Sequence, residues 1–170
     1  HGMFGQQIRI LREHFGIRPG EKDLPTFSLF GLFNAGIGMT SVIPDMDPTH
    51  PAKVNPENII HPIQNHHITS SFGSPALWDT VSRYCQKSKI KLPSLRRILI
   101  AGAPVPGTLL KRFEFILEPD CKVLTPYGAT EALPVTSIER QEILDDTWAQ
   151  SEKGEGTCVG KPVPGAEIKI

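Results

Sequence analysis

Three short apolar runs, "ITSSF" (68–72), "RILIAG" (97–102) and "KVLTP" (122–126), are separated by stretches whose apolar residues recur at helical spacing, and this alternation constrains the fold most. After the first run, Ser74 offers an N-cap oxygen with Pro75 behind it at the first helical position, and Leu77, Val81, Tyr84 and Cys85 fall on one face. After the second, residues 106–117 place Leu109, Phe113, Ile116 and Leu117 at the same spacing. Short buried strands joined through amphipathic helices require a parallel sheet covered on both faces. The expectation is an α/β fold, mostly parallel, flanked by helices on both faces.

Upstream, residues 6–16 carry Ile8, Leu11 and Phe15 as a helical stripe ended by Gly16. Leu24 to Pro44 contains no charged side chain and matches the roughly 20 residues that cross a bilayer. Pro25, Gly31, Asn34, Gly36, Gly38 and Pro44 argue against a span, and "LPTFSLF" and "GMTSVIP" read as two buried strands around a short helix. Loops are expected at 18–23, 44–56 and 145–156. The 170 residues read as one subdomain; the start at His1 and the strand-like "AEIKI" at the end suggest a piece of a longer chain.

Eighteen Lys and Arg balance eighteen Asp and Glu, so there is no basic excess to attract a phosphate backbone, and nucleic acid is not an expected partner. Cys85, Cys121 and Cys158 are odd in number with no Cys-x-x-Cys pair, as expected of free thiols in a cytoplasmic protein. His61, His66 and His67 lack metal-ligand spacing and read as helix-surface or helix-end residues, and "PDMDP" with Asp45 and Asp47 is first a turn. Trp78 and Trp148 are assigned to packing or partial burial.

In an open parallel sheet, ligands sit beyond the carboxyl ends of the strands, where helix N-termini present free N–H groups. Three turns should therefore face one crevice: "FGSP", "AGAPVPG" and "PYGATE". In the last, Tyr127 can stack on a nucleobase, Gly128 allows close backbone approach, Thr130 can donate to a phosphate oxygen, and Glu131 is a hard ligand for Mg²⁺. An ordinary strand-to-loop turn with a solvated Glu131 fits the same residues. Ala101 to Ala103 leave backbone bare for a planar group, or merely enter a helix through Pro104 and Pro106. Gly73 reads as a tight turn or as room for something passing over it.

Taken together, "TPYGATE", the upstream "AGAP" and the downstream "GTCVGKPVPGAEIKI" resemble the adenylate-forming superfamily of acyl-CoA synthetases, luciferases and peptide-synthetase adenylation domains. "HGMFGQQ" looks like the segment after that family's phosphate-binding loop, and "LPTFSLFGLF" like its Pro-Leu-Phe-His region. "GMTSVIPDMDPTHPA" with "YGATEALPV" is similar to the bacterial olefin-pathway members that convert 2-alkyl-3-hydroxy fatty acids into β-lactones.

The resemblance implies the central part of a large N-terminal domain that binds ATP or AMP with Mg²⁺, and CoA where the acyl group passes to a thiol. It makes Tyr127 the adenine-stacking ring, Thr130 the α-phosphate hydroxyl and Glu131 the Mg²⁺ ligand. Gly102, Ala103 and Pro104 would line the adenine edge beside Thr125, Gly128 and Ala129. Gly73 would lie at the acyl pocket, with Phe30 and Leu133 nearby. It implies a ligase that activates a fatty or 3-hydroxy-fatty carboxylate; a non-catalytic nucleotide- or acyl-binding module is the alternative.

Three departures stand out. Thr125 and Pro126 precede the tyrosine where the family has Asn, Gln or Gly, so the contact to the adenine amino group is remade by Thr125 or lost. Ser28 stands where many members carry His, implying a wider or more polar acyl entrance. The phosphate-binding loop, ribose-binding Asp and C-terminal domain with its lysine are expected in the missing parts of the parent chain. This piece alone is expected to be inactive.

Overall fold

The computed structural model describes residues 2–169. Five parallel strands form the main sheet: β1 (Lys22–Pro25), β2 (Thr40–Ser41), β3 (Ser70–Gly73), β4 (Arg97–Ile100) and β5 (Lys122–Ala129). β6 (Ala132–Glu139) then returns antiparallel to β5, and β7 (Lys161–Pro162) antiparallel to β6, giving the order β2-β1-β3-β4-β5-β6-β7. The expected mostly parallel α/β sheet is present, closed at one edge by a hairpin. No helix among the described residues is long and apolar enough to cross a membrane.

Strand alternation feeds two cores. In β4, Ile98 and Ile100 belong to one core with helices α3 (Glu57–His66), α4 (Pro75–Ser88) and α5 (Gly107–Ile116). Leu99 points the other way, into a core with α1 (Gly2–His14) and α2 (Ser28–Ile37). This period-2 switch makes the strand a continuous apolar run. Trp78 and Phe113 meet edge-on at 5.7 Å in the first core, both fully buried, each stabilising the fold by about 1.5–3 kcal/mol through the apolar surface it removes from water.

Ser74 caps α4 as its sequence predicts, its hydroxyl accepting from the Leu77 N–H at 3.2 Å. The stretch read as a strand in "LPTFSLF" becomes strand only to Pro25, and Ser28 opens α2. Phe30, Phe33, Asn34 and Ile37 are its buried face, at i, i+3, i+4 and i+7, and that spacing outweighs the two glycines. Gly36 is where α1 comes close: a Cβ there would run into the Ile8 side chain. α3 is the helix that the reading of His61, His66 and His67 as helix-surface or helix-end residues implies, and it buries Ile59, Ile60 and Ile63 although Pro62 stands inside it. His61 and His66 are exposed on α3, and His67 caps it in the left-handed region at φ 51°. In the loop before α3, Asp47 accepts from the Thr49 N–H at 2.9 Å and pairs with His50, closing the expected turn.

The segment expected as a loop at 145–156 is helical through Glu152, comprising α6 (Arg140–Glu142), a π turn (Ile143–Thr147) and α7 (Trp148–Glu152). The "AEIKI" segment pairs with no strand over 166–169, and Ile170 lies outside the described residues.

A buried polar knot ties α1 to the sheet. Arg97 donates from Nε to the Phe15 carbonyl (2.9 Å), from one terminal nitrogen to the Gly16 carbonyl (3.2 Å) and from the other to Glu21 (3.1 Å). Beside it Asp23 accepts from Asn34 at 2.8 Å, and burial pushes its carboxyl above the ordinary 3.8 despite that bond.

Candidate active site

One cavity of about 800 Å³ opens beyond the carboxyl ends of β4 and β5. Its size suits a small-molecule ligand. Its walls include Gly102, Ala103 and Pro104 from the β4 turn and Thr125, Tyr127, Gly128, Ala129 and Thr130 from β5 and its turn, with Phe30 and Leu133. Ten of the twelve residues expected at a site therefore share one space. Gly73 and Glu131 are not on its wall.

β5 runs past Pro126, where the sequence suggested it would stop. Pairing with β4 covers only Lys122 to Leu124, so the missing proline N–H is not required by that neighbour, while β6 pairs Pro126 with Ser137. The register then shifts between Tyr127 and Ala129, an irregularity of the kind that re-aims a side chain. Tyr127 is left 56% exposed, a large ring uncovered by protein on the cavity wall.

Gly102, on the same wall, sits at φ +94°, a conformation that L side chains rarely adopt, and a Cβ there would meet Phe27 Cζ at 3.7 Å, an ordinary contact distance. The backbone conformation is what requires the glycine, and it leaves the main chain uncovered by any side chain of its own. Gly128 is different. A Cβ on it would strike the Ala132 carbonyl oxygen and sit 3.1 Å from Leu133 Cα, so the hairpin itself requires the glycine, whatever approaches it from the cavity. Gly73 also has a packing reason: its Cβ would lie 2.7 Å from Trp78 Nε1.

Part of the cavity wall is aromatic. Phe30 lies flat on Phe72 with centroids 3.3 Å apart, and Phe27 meets Phe72 edge-on at 5.6 Å. Thr125 lines the wall with its hydroxyl 3.5 Å from the Ile138 carbonyl, a weak bond that leaves it available to a ligand. Among the described residues, none of those lining the cavity is charged. Glu131, exposed and adjacent to Thr130, is the nearest carboxylate in sequence.

Sequence reasoning missed the far wall, formed by Ile143, Thr147, Trp148, Ser151 and the Thr157–Val159 segment. Trp148 was taken as packing, and it packs over Gly107 at the start of α5, where any Cβ would strike the indole; the same residue also faces the cavity. Cys158 is exposed on this wall, whereas burial pushes the Cys85 thiol up to about 11 and Cys121 to about 12.

A family model described as "AMP-binding enzyme" matches residues 26–170. The chain belongs to the AMP-binding enzyme family. It is 45% identical over all of its 170 residues to the olefin beta-lactone synthetase of Xanthomonas campestris pv. campestris, and 44% identical over the same length to that of Stenotrophomonas maltophilia. It spans 30% of the length of each of these relatives. Among solved structures, O-succinylbenzoate coenzyme A synthetase (MenE) from Bacillus subtilis in complex with AMP matches with a TM-score of 0.74 at 21% identity, covering 99% of this chain and 32% of that one. The same enzyme with ATP and magnesium ion matches with a TM-score of 0.71 at 21% identity, over 99% of this chain and 33% of that one. The fold is therefore shared, over nearly the whole of this chain, with part of those larger structures.

Proposed function

We propose that the chain is the central part of the large N-terminal domain of an ATP-dependent ligase that converts a fatty or 3-hydroxy-fatty carboxylate into its acyl-adenylate. The observation that carries the reading is one cavity whose wall brings together an exposed tyrosine ring, the Gly102–Pro104 turn, Thr130 and the aromatic group of Phe30 and Phe72. In this reading adenine lies on Tyr127 beside the Gly102–Pro104 backbone, and the acyl chain lies against Phe30, Phe72 and Leu133. Thr130, on the same wall, is the proposed donor to the α-phosphate.

In the reaction the carboxylate oxygen bonds to the α-phosphorus as the bond to the departing pyrophosphate breaks. Charge accumulates on the phosphoryl oxygens, and catalysis is positioning and electrostatics. A hydroxyl held at that point, the role proposed for Thr130, would stabilise the charge without reorganising. Glu131 supplies the hard oxygen for Mg²⁺, which neutralises phosphate charge when bound. Because the cavity wall is uncharged, the cation holding the outer phosphates must come from elsewhere in the parent chain. Phosphate loop and C-terminal domain are proposed for that role, and this piece alone is expected to be inactive.

The two relatives that cover the whole chain are both named beta-lactone synthetases, which favours a catalytic parent over a non-catalytic binding module. It also favours ring closure by the substrate's own 3-hydroxyl over transfer to CoA. The unpaired cysteines fit a cytoplasmic setting. The test is carboxylate-dependent ATP–pyrophosphate exchange by the full-length protein across fatty and 3-hydroxy acids, with and without CoA. Exchange should follow the carboxylate, and net AMP release without CoA should require the 3-hydroxyl; no carboxylate-dependent exchange would refute the reading.

A further inference from the structure

α1 presents a buried face that includes Gln7 and Leu11, with Phe4 and Ile8 partly buried beside them. Three of those positions are apolar, and Gln7 is an amide only 5% exposed. Such a group destabilises the fold unless it finds a partner. Its partner lies 123 residues away: Gln7 Nε2 donates to the Thr130 carbonyl at 3.0 Å. Thr130 is at the tip of the β5–β6 hairpin, where a carbonyl would otherwise be left to solvent.

The peptide unit is planar, so fixing the Thr130 carbonyl also fixes the Glu131 N–H, which points the opposite way. One bond from α1 therefore sets the orientation of the unit that joins the two residues proposed to meet the α-phosphate and Mg²⁺. Gln7 is not on the cavity wall and touches no ligand position itself.

We propose that Gln7 is a positioning residue for the nucleotide site, holding the Thr130–Glu131 peptide in the orientation that adenylation needs. The inference rests on the adenylation reading for its catalytic consequence. In the full-length enzyme, Gln7→Met keeps the shape and removes the donor; Gln7→Glu keeps the shape but sets a carboxylate against a carbonyl. Both should lower kcat for ATP–pyrophosphate exchange about ten- to hundredfold, the cost expected when a reacting group is loosely placed. KM for the carboxylate should hold. Amide hydrogen exchange should accelerate in the peptide covering 128–133 and not across the sheet.

Unchanged kcat with unchanged protection of 128–133 in both variants overturns the proposal. So does faster exchange throughout the chain, since Gln7 would then be supporting the fold and not the turn. If Gln7→Met fails to fold, Gln7→Glu carries the same two readings. An unmodified enzyme without carboxylate-dependent exchange would sink the adenylation reading instead, and the turn's protection would still decide whether Gln7 holds it.

Discussion

Replacing Gly128 with Ala separates two reasons for a glycine in the "YGATE" turn. If ligand approach requires it, the added methyl should weaken nucleotide binding and spare the fold. The structure supports the other reason, because the methyl would meet the Ala132 carbonyl oxygen and Leu133 Cα, which are backbone atoms of the partner strand. Backbone cannot swing aside as the end of a side chain can. Overpacking costs about 1–3 kcal/mol, and contacts with backbone belong at the upper end, about 2–3 kcal/mol. In native-state hydrogen exchange, where each 1.4 kcal/mol is tenfold, amides of the β5–β6 hairpin should then exchange about 30- to 150-fold faster. Exchange is the suitable assay because it reads one hairpin inside a longer parent chain. Wild-type protection of the hairpin together with a raised KM for ATP would refute the packing argument and return the glycine to the ligand.

Thr130→Val in the full-length protein should lower kcat for exchange about a hundredfold, the usual cost of one lost donor to developing charge. Glu131→Ala should sharply weaken Mg-ATP-dependent adenylation in a folded protein, and unchanged exchange would remove Glu131 from the site. Asp23→Asn should stabilise the protein near neutral pH: burial raises the folded-state carboxyl value above 3.8, so stability is lost as pH rises from there through the folded value. The melting-temperature advantage should shrink as pH falls toward 3.8, and a pH-independent difference would contradict the assignment. Alkylation at pH 7–8 mapped by mass spectrometry should modify Cys158 while leaving Cys85 and Cys121 intact, and saturating ATP should slow it. Equal labelling of all three would show that the core holding Cys85 and Cys121 opens readily.

The elements that were legible in the sequence are those whose local chemistry agrees with their packing. Ser74 and Pro75 announce α4, and Ile98, Leu99 and Ile100 are apolar in succession because both faces of β4 are covered. The short helix expected between the strands of 24–44 is α2, but its start at Ser28 was obscured by Gly31 and Gly36, and the bounds of α3 by Pro62, residues unfavourable in an isolated helix whose cost is offset by burying Phe33, Ile59 and Ile63. The site's near wall was readable because a ring, a hydroxyl and small residues occupy consecutive positions after a strand. Its far wall was not, since Trp148 and Cys158 reach the cavity through a π turn and a return to the sheet that no local pattern marks. Gln7 was invisible for the same reason: its partner is across the fold, and a glutamine on a helix usually faces water.

Arg97 works as a rivet between segments that share no local pattern. Its acceptors at Phe15 and Gly16 lie just past α1, more than eighty residues before it, and Glu21 takes its third donor from the approach to β1. Both of those carbonyls belong to the backbone, so no side-chain substitution at 15 or 16 can remove them, and the cation keeps its acceptors through any change of sequence that preserves the turn.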